Sequence, residues 1–196
     1  MRMTFSKKII FLALYYSFLY YLPASTTPII GKYCRRLRYN CCKHIFRKCG
    51  KNVNIERKAW FGSGVNIIIG DNSGLGINSS IPNDTIIGEN VMMGPNCYIL
   101  QADHAFDATN IPMILQGHSE HKQTIIEDDV WIGRNVSFTN GRHVYKGTII
   151  ALGCVLTKDF PEYSIVGGVP SKLIKRGKLM YEMLGISFSL CSFRKC

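Results

Sequence analysis

The sequence predicts a parallel β-solenoid, an all-β fold in which short strands stack coil upon coil. Two observations carry this prediction. Apolar residues recur at every sixth position over residues 69–99 and again over 126–156, and asparagine recurs at a fixed place between them. A six-residue period is too short for a repeat built from helices, but it suits a short strand followed by a turn. We therefore expect the apolar residue of each repeat to point into the solenoid.

The two repeat blocks have the following members. The apolar positions are Ile69, Leu75, Ile81, Ile87, Met93 and Ile99, then Ile126, Ile132, Phe138, Val144, Ile150 and Leu156. Three residues after them stand Asn72, Asn78, Asn90, Asn96 and Asn135, with Asp84 in the same slot of one coil. Glycine and asparagine tolerate a positive φ better than other residues do. These slots therefore predict tight turns at the corners of the solenoid.

An inserted loop separates the two blocks. Ile99 and Ile126 are 27 residues apart, which is not a multiple of six, so the chain must leave the coil and return to it. The detour is predicted over residues 103–123. His104 stands at its start, between Asp103 and Asp107. Because loops that project from a rigid scaffold often carry the chemistry, this loop is the first place to look for a catalytic group.

Residues 1–51 differ in character from the repeats and are predicted to form an apolar and basic helical segment. Residues 9–22 are an apolar run, but a spanning helix needs about 20 such residues. Three interpretations stay open: a secretory signal, a segment that lies at a membrane interface, and a terminal helix packed on the body. A helix is predicted over residues 33–49, with Gly50 as its C-terminal cap. Its apolar stripe would be Cys34, Leu37, Cys41, Ile45 and Cys49.

The charge is strongly positive and unevenly placed. The net charge is +11, and residues 32–51 hold eight Lys or Arg and no acidic residue. Such a cluster suits an anionic lipid surface or a ligand that carries phosphate. Nucleic acid is not predicted as a partner, since no DNA-binding or RNA-binding motif is present. The eight cysteines include no C-x-x-C pair, which favours reduced thiols in a cytosolic protein and argues against a zinc site.

Four stretches together resemble a known family. They are IIGENVMMGPNCYIL at 86–100, DH at 103–104, IIEDDVWIGRNV at 125–136 and LTKDFPEYSIVGGVPSKLIK at 156–175. The chain resembles the hexapeptide-repeat acyltransferases, whose fold is a left-handed parallel β-helix. It is most similar to the maltose and galactoside acetyltransferase branch, including the O-acetyltransferases of capsule and lipopolysaccharide. The similarity covers about residues 52–177, which leaves 178–196 as a C-terminal helix or tail.

The resemblance implies a function and an assembly. It implies an O-acetyltransferase that uses acetyl-CoA as co-substrate, a saccharide as acceptor, and a homotrimer with active sites between neighbouring β-helices. We expect the protein in the cytoplasm. Peripheral membrane association through residues 1–51 would place it at the inner face of the membrane, since basic and aromatic segments suit that surface.

Site residues follow from the same resemblance. His104 would be the catalytic histidine. Glu127, Asp103 and Asp107 are candidates to orient its ring, Glu127 as a catalytic residue and the two aspartates beside the substrate; a backbone carbonyl could serve equally. Asn78 would contact the substrate. The residues implied for the coenzyme are Trp131, which would also line the acceptor pocket, with Arg134, Gly153, Thr157, Lys158, Lys172 and Lys175.

The proposed chemistry suits an imidazole. Acetyl transfer from a thioester to a hydroxyl needs a base near neutral pH, and a neutral histidine provides one. Three alternatives stay open: N-acylation of an amino sugar, a zinc enzyme like the γ-type carbonic anhydrases, and a scaffold without activity. For Trp131 the alternative is a core aromatic. His118 and His121 are interpreted as loop residues, with no metal expected.

Overall fold

The protein is a left-handed parallel β-helix with two helices at its N-terminal end. The structure, a computed structural model, describes residues 5–177. The predicted helix or tail over 178–196 lies outside this range. The predicted solenoid and its protruding loop are both confirmed.

The N-terminal segment packs on the solenoid as a helical hairpin. It consists of α1 (Phe5–Ser17), a 3₁₀ turn (Leu19–Tyr21) and α2 (Gly31–Ile45). Tyr15 is fully buried, and its hydroxyl donates to the carbonyl of Ala59 at 2.7 Å. The side of α1 that faces the solenoid is therefore packed on the body, as the third interpretation of this segment predicts. Within residues 5–177, no helix is long and apolar enough to cross a bilayer.

The predicted stripe of α2 is wrong at one position. Leu37 is 48% exposed, whereas Arg38, one residue later, is fully buried. The arginine is tolerated inside because most of its polar atoms have partners. Nε donates to the carbonyl of Ile55 at 2.5 Å, and Nη1 donates to the carbonyl of Pro23 at 3.0 Å. Nη2 makes no hydrogen bond to the described part of the chain, but it lies 3.6 Å from the Glu56 carboxylate. A buried charge needs such partners, and a sequence pattern does not reveal them.

The predicted end of α2 is also wrong, because the helix stops four residues before Cys49. Residues 48 and 49 form the first strand instead, paired with Ile68 and Ile69 of the next coil. Gly50 is not a helix cap. A Cβ there would lie 2.6 Å from the backbone nitrogen of Asp71, so the coil stacking itself requires glycine.

Short strands line the three faces of the solenoid. The first face holds β1 (Lys48–Cys49), β3 (Ile68–Ile69), β5 (Ile86–Ile87), β8 (Ile125–Ile126) and β11 (His143–Val144). The second holds β2 (Asn54–Ile55), β4 (Gly74–Leu75), β6 (Met92–Met93), β9 (Trp131–Ile132), β12 (Ile149–Ile150) and β14 (Ser164–Gly167), on which β15 (Lys172–Arg176) packs antiparallel. The third holds β7 (Tyr98–Ile99), β10 (Ser137–Phe138) and β13 (Val155–Leu156). The other pairings are parallel, as a solenoid requires.

The core is built from the predicted repeat and from a second position that the repeat analysis missed. All twelve predicted apolar residues are buried except Met93, which is half-buried. The residue two places earlier also points inward, and it is often small. Examples are Ser73, Ser79, Thr85, Val91, Cys97, Val130, Val136, Thr148 and Cys154. Two inward residues per six-residue repeat therefore fill the interior of the solenoid.

The corners confirm the predicted turn slots. Asn72, Asn78, Asn90, Asn96 and Asn135 have φ between 54° and 59°. Asp84 is the exception among the predicted positions.

Their side chains also bond from coil to coil. The Asn78 amide nitrogen donates to the Asn96 amide oxygen at 3.1 Å, and Asn96 donates onward to Asn135 at 2.9 Å. These asparagines thus tie neighbouring coils together as well as turning the chain.

The coil length measures the inserted loop directly. In the regular coils, paired residues are 18 apart in sequence, as are Ile68 and Ile86 on one side of the loop and Ile125 and His143 on the other. Across the loop the spacing rises to 39, between Ile86 and Ile125. The excess matches the length of the predicted loop, residues 103–123.

Candidate active site

His104 stands on a short stem at the base of the loop. The loop leaves the solenoid after β7, at the corner between the third and first faces. His104 forms an antiparallel bridge with His118, and their ring centroids lie 4.8 Å apart. The N–H of Ala105 donates to the Gly117 carbonyl at 3.1 Å, which closes the stem. His104 is exposed, so its ring is accessible to a substrate.

Within one chain, two of the three candidate carboxylates are bonded to groups other than the His104 ring. Asp103 accepts from the backbone N–H of His104 at 2.9 Å, so it fixes the backbone at that point. Asp107 is exposed further along the loop. Glu127 lies 2.7 Å from the Nε2 atom of His143 and also accepts from the N–H of Lys146 at 3.0 Å. Within one chain, Glu127 therefore contacts His143 and not His104.

His121 ties the far leg of the loop back to the solenoid. Its Nδ1 lies 3.0 Å from the carbonyl oxygen of Gln101, and its Nε2 lies 2.7 Å from the Asp84 carboxylate. Both partners are acceptors, so both ring nitrogens can donate only when the imidazole is protonated. Consistent with this, the hydrogen bonds to Asp84 and then to Gln101 raise the pKa of His121.

Trp131 projects from the second face and is 52% exposed, so it is not a core aromatic. It lies in β9 between Met92 and Ile149 of the adjacent coils. The loop that carries His104 leaves from a different corner of the prism. One chain therefore presents Trp131 and His104 on different sides.

The residues expected to hold the coenzyme flank the third face. Gly153 and Arg134 share the corner between the second and third faces, where the Gly153 N–H donates to the Arg134 carbonyl at 2.8 Å. Thr157 and Lys158 lie at the opposite corner, beyond β13. The Thr157 N–H donates to the hydroxyl of Ser171 at 3.0 Å, and this links the corner to the start of β15.

The cations of this region are available to solvent. Arg134, Lys158, Lys172 and Lys175 are all exposed, the last two on β15. The Lys158 ammonium lies 5.4 Å above the ring of Phe160. Exposed cations on both sides of one face give a surface that suits the phosphates of a nucleotide.

Comparisons with known proteins identify the family. Residues 66–101 match the family model for bacterial transferase hexapeptide repeats (six repeats). A putative acetyltransferase of Saccharomyces cerevisiae is 35% identical over 136 residues, which cover 68% of each chain. The chain belongs to the hexapeptide-repeat acyltransferases.

Two further relatives place this acyltransferase in its branch. A galactoside O-acetyltransferase of Escherichia coli is 29% identical over 140 residues, 70% of this chain and 68% of that one. The solved structure of a galactoside acetyltransferase in complex with coenzyme A has a TM-score of 0.70 and 26% identity, and covers 87% of this chain and 80% of that one. The predicted maltose and galactoside branch is confirmed, and the chain is an enzyme.

Several features of this acyltransferase were not found from its sequence. His118 faces His104 across the stem, but the loop has no period that would reveal the pairing. The contact of Glu127 with His143 could have been predicted from the sequence. One coil contains 18 residues, so residues about 18 apart in sequence lie side by side in neighbouring coils. The side-chain nitrogen of Asn78 donates to Asn96, so this amide group links two coils of the solenoid.

Within the part of the chain that the structure describes, the titratable groups form no metal centre. Residues 5–177 contain no group of three His, Cys, Asp or Glu side chains placed to hold a metal ion. The six cysteines in this range are free thiols. Burial raises the pKa of Cys97 to about 11, so this inward thiol is neutral and packs as a small apolar side chain.

Proposed function

We propose that the protein transfers an acetyl group from acetyl-CoA to a hydroxyl of a saccharide, with His104 as the general base. The observation that carries this proposal is the position of His104, exposed on a closed stem where the rigid solenoid gives way to the loop. Relatives in the same branch include galactoside O-acetyltransferases. The chemistry of those relatives fits an accessible imidazole at this junction.

In the proposed reaction, acetyl-CoA and the acceptor are bound together. His104 removes the hydroxyl proton while the oxygen attacks the thioester carbonyl. The resulting tetrahedral intermediate collapses with cleavage of the C–S bond, and the protonated imidazole returns its proton to the departing sulfur. The acetyl ester and the free thiol leave, and His104 is again neutral. A base placed in this way contributes about 10²–10⁴-fold to the rate.

The coenzyme would lie along the third face. Arg134, Lys158, Lys172 and Lys175 would neutralise its phosphates. Gly153 would let the pantetheine arm approach the backbone, because it is exposed and a Cβ there would meet no atom within 4 Å. Thr157 lies at the far corner of this face, and Trp131 would line the end that receives the thioester.

We further infer that the working form is a homotrimer with a site between copies. Phe106, Met113, Ile114 and Leu115, at the loop's outer part, are 62–83% exposed. Apolar side chains clustered on an exposed loop are usually covered by a partner. A second copy would also bring its Trp131 face toward this chain's loop, which a single chain cannot do.

Membrane association through residues 1–51 is the second part of the proposal. The outer side of α1 and of the turn that follows it forms an apolar stripe of Ile9, Ile10, Leu14, Phe18 and Tyr21, each 45–68% exposed. No charged residue occurs from 9 to 31, and basic residues follow immediately. A stripe of this kind suits the interface of an anionic bilayer, such as the cytoplasmic face of a membrane.

Vesicle sedimentation tests the membrane contact. Ile10→Gln with Leu14→Gln should weaken binding to anionic vesicles, because it removes two exposed apolar side chains that would insert into the bilayer interface. Ile174→Gln, an exposed apolar residue on β15, is the control and should bind as the parent does. Equal sedimentation of the double variant and the parent would rule out this surface.

Product analysis tests the acetyl transfer. We expect turnover of acetyl-CoA with neutral saccharides and a product, seen by mass spectrometry, whose acetyl group is released by mild alkali, as an ester is. A product stable to alkali and formed only with amino sugars would assign N-acylation instead. Stoichiometric zinc with carbon dioxide hydration and no thioester turnover would assign the carbonic anhydrase alternative.

A further inference from the structure

Two adjoining grooves lie where α2 meets the first coils. The first, of about 370 Å³, is called here the basic groove. It is lined by Ser25, Lys32, Arg35, Arg36, Tyr39, Asn52 and Val53. The second, of about 360 Å³, runs along the second face over Asn54, Asn72, Ser73, Gly74 and Met92, and is called the asparagine groove. Arg35 and Asn52 line both grooves, so the two are continuous.

The basic groove holds three cations without a matching acid. Among residues 5–177, none of Lys32, Arg35 and Arg36 has a carboxylate within 4.0 Å. The acidic residue of the asparagine groove, Glu56, is already engaged: it lies 3.6 Å from Arg38 and accepts from Ser25 and Asn54. Three like charges within two helical turns repel one another, and a bound anion would relieve that repulsion.

One of these cations is held in place before any ligand arrives. The Nη2 atom of Arg35 donates to the carbonyl oxygen of Asn52 at 3.0 Å and to its side-chain oxygen at 2.6 Å. Asn52 in turn donates to Asn72 at 3.0 Å, and Asn72 donates to Asn90 at 3.2 Å. A guanidinium carries five N–H donors, so these two bonds leave others for a phosphate oxygen. An arginine fixed in this way suits two-point binding of phosphate.

The asparagine groove leads from these cations toward the proposed reaction site. Gly74 and Gly76 contribute no side chains to its wall, and Asn54 and Asn72 contribute amide groups. Such groups suit the hydroxyls of a sugar. At its far end lies Met92, which is paired with Trp131 in the next coil.

We propose that the basic groove binds the phosphate or diphosphate of a phosphate-linked saccharide. The saccharide itself would lie in the asparagine groove and point toward Trp131. This inference rests on the proposed acetyl transfer and narrows its acceptor from any saccharide to one joined to phosphate. A nucleotide sugar and a lipid diphosphate sugar share this chemistry, and the stripe on α1 suits the second.

Calorimetry on the full chain tests the phosphate site without using activity. Inorganic pyrophosphate is the probe. Lys32→Gln and Arg36→Gln should each raise its Kd about tenfold, the effect of losing one charge-assisted hydrogen bond. Lys48→Gln removes an equal charge from an exposed position outside both grooves and should change the Kd less than twofold. Equal effects in all three variants, or no binding of pyrophosphate to the parent, would overturn the inference.

The same variants separate the acceptor from the coenzyme. The affinity for acetyl-CoA should stay unchanged in Lys32→Gln and Arg36→Gln. A matching loss of acetyl-CoA affinity would mean that the basic groove holds the coenzyme phosphates, and would overturn the assignment.

Turnover then tests the acceptor class and its source. UDP-glucose and a polyprenyl diphosphate glucose in mixed micelles are compared with free glucose. Arg36→Gln should lower kcat/KM about tenfold for whichever phosphate-linked acceptor is used and leave the value for the free sugar unchanged. Equal losses on all three acceptors would refute the phosphate assignment, while acetyl transfer to the free sugar would still uphold the proposed function. The better of the two phosphate-linked acceptors in the parent identifies the source.

Discussion

The solenoid coils and the loop at 103–123 follow opposite rules. In the coils, each inner strand is bonded to the coils before and after it, and its inward side chains are packed in the core. The loop is held by the stem at His104 and His118 and by the contacts of His121, and its apolar outer side chains are exposed. A catalytic group needs both a fixed position and contact with the substrate, and the boundary between these two regions offers both. The proposed base stands at the junction, held by the scaffold on one side and open to substrate on the other.

Removal of a core side chain should show the largest difference between the two regions. Phe138→Ala in β10 empties a buried site and should lower the free energy of unfolding by about 3–5 kcal/mol. Glu120→Ala, at an exposed position of the loop, should change it by less than about 0.5 kcal/mol. Chemical denaturation of the two variants beside the parent measures both. Similar losses would mean that the loop is part of the cooperative core.

Glycine substitutions sharpen the same comparison. Gly133→Ala places a Cβ 2.6 Å from the backbone nitrogen of Leu152 in the next coil, so two coils must separate. We expect Gly133→Ala to lower the free energy of unfolding by an amount near the upper end of the range of about 1–3 kcal/mol.

Gly117→Ala is the matched change in the loop. This position has a φ of +79° but open space around it. Its strain of about 1–2 kcal/mol can be relieved locally, so the thermal midpoint should fall less than in Gly133→Ala. A larger fall for Gly117→Ala would contradict the distinction.

The smallest effect concerns pH and the attachment of the loop. The pKa of His121 is raised in the folded protein, so the stabilisation from its bonds is fully present below its ordinary pKa. That stabilisation is lost as the pH rises through the raised value. Amide hydrogen exchange, corrected for the intrinsic rate, is compared at a pH below the ordinary pKa of histidine and at a pH above the raised pKa of His121. Protection of the amides at the base of the loop should be several-fold weaker at the second pH. His121→Gln should remove this pH dependence, and a persistent dependence would refute the role.

Much of the fold could be predicted because the same short pattern recurs in each coil, so the residues of one repeat predict the structure of the others. The inward position and the asparagine turns both follow from one six-residue period. The end of α2 could not be predicted, since coil stacking at Gly50 and the internal partners of Arg38 outweighed the helical pattern. The same limit applies to the site. The position of His104 follows from a break in register, but its neighbour His118 depends on the path of a loop without periodicity.

The proposed base can be tested against a second histidine in the same chain. His143 already has a carboxylate partner, Glu127 at 2.7 Å, and stacks on Tyr145, so it is the matched control. Acetyl-CoA turnover with a saccharide acceptor is compared in the parent, His104→Ala and His143→Ala, with coenzyme affinity measured separately.

We expect His104→Ala to lower kcat/KM about 10²–10⁴-fold with the affinity for acetyl-CoA unchanged. His143→Ala should stay within about tenfold of the parent, since its contacts lie within the first face. Near-normal turnover in His104→Ala, with activity lost in His143→Ala, would contradict the assignment of His104 as the base.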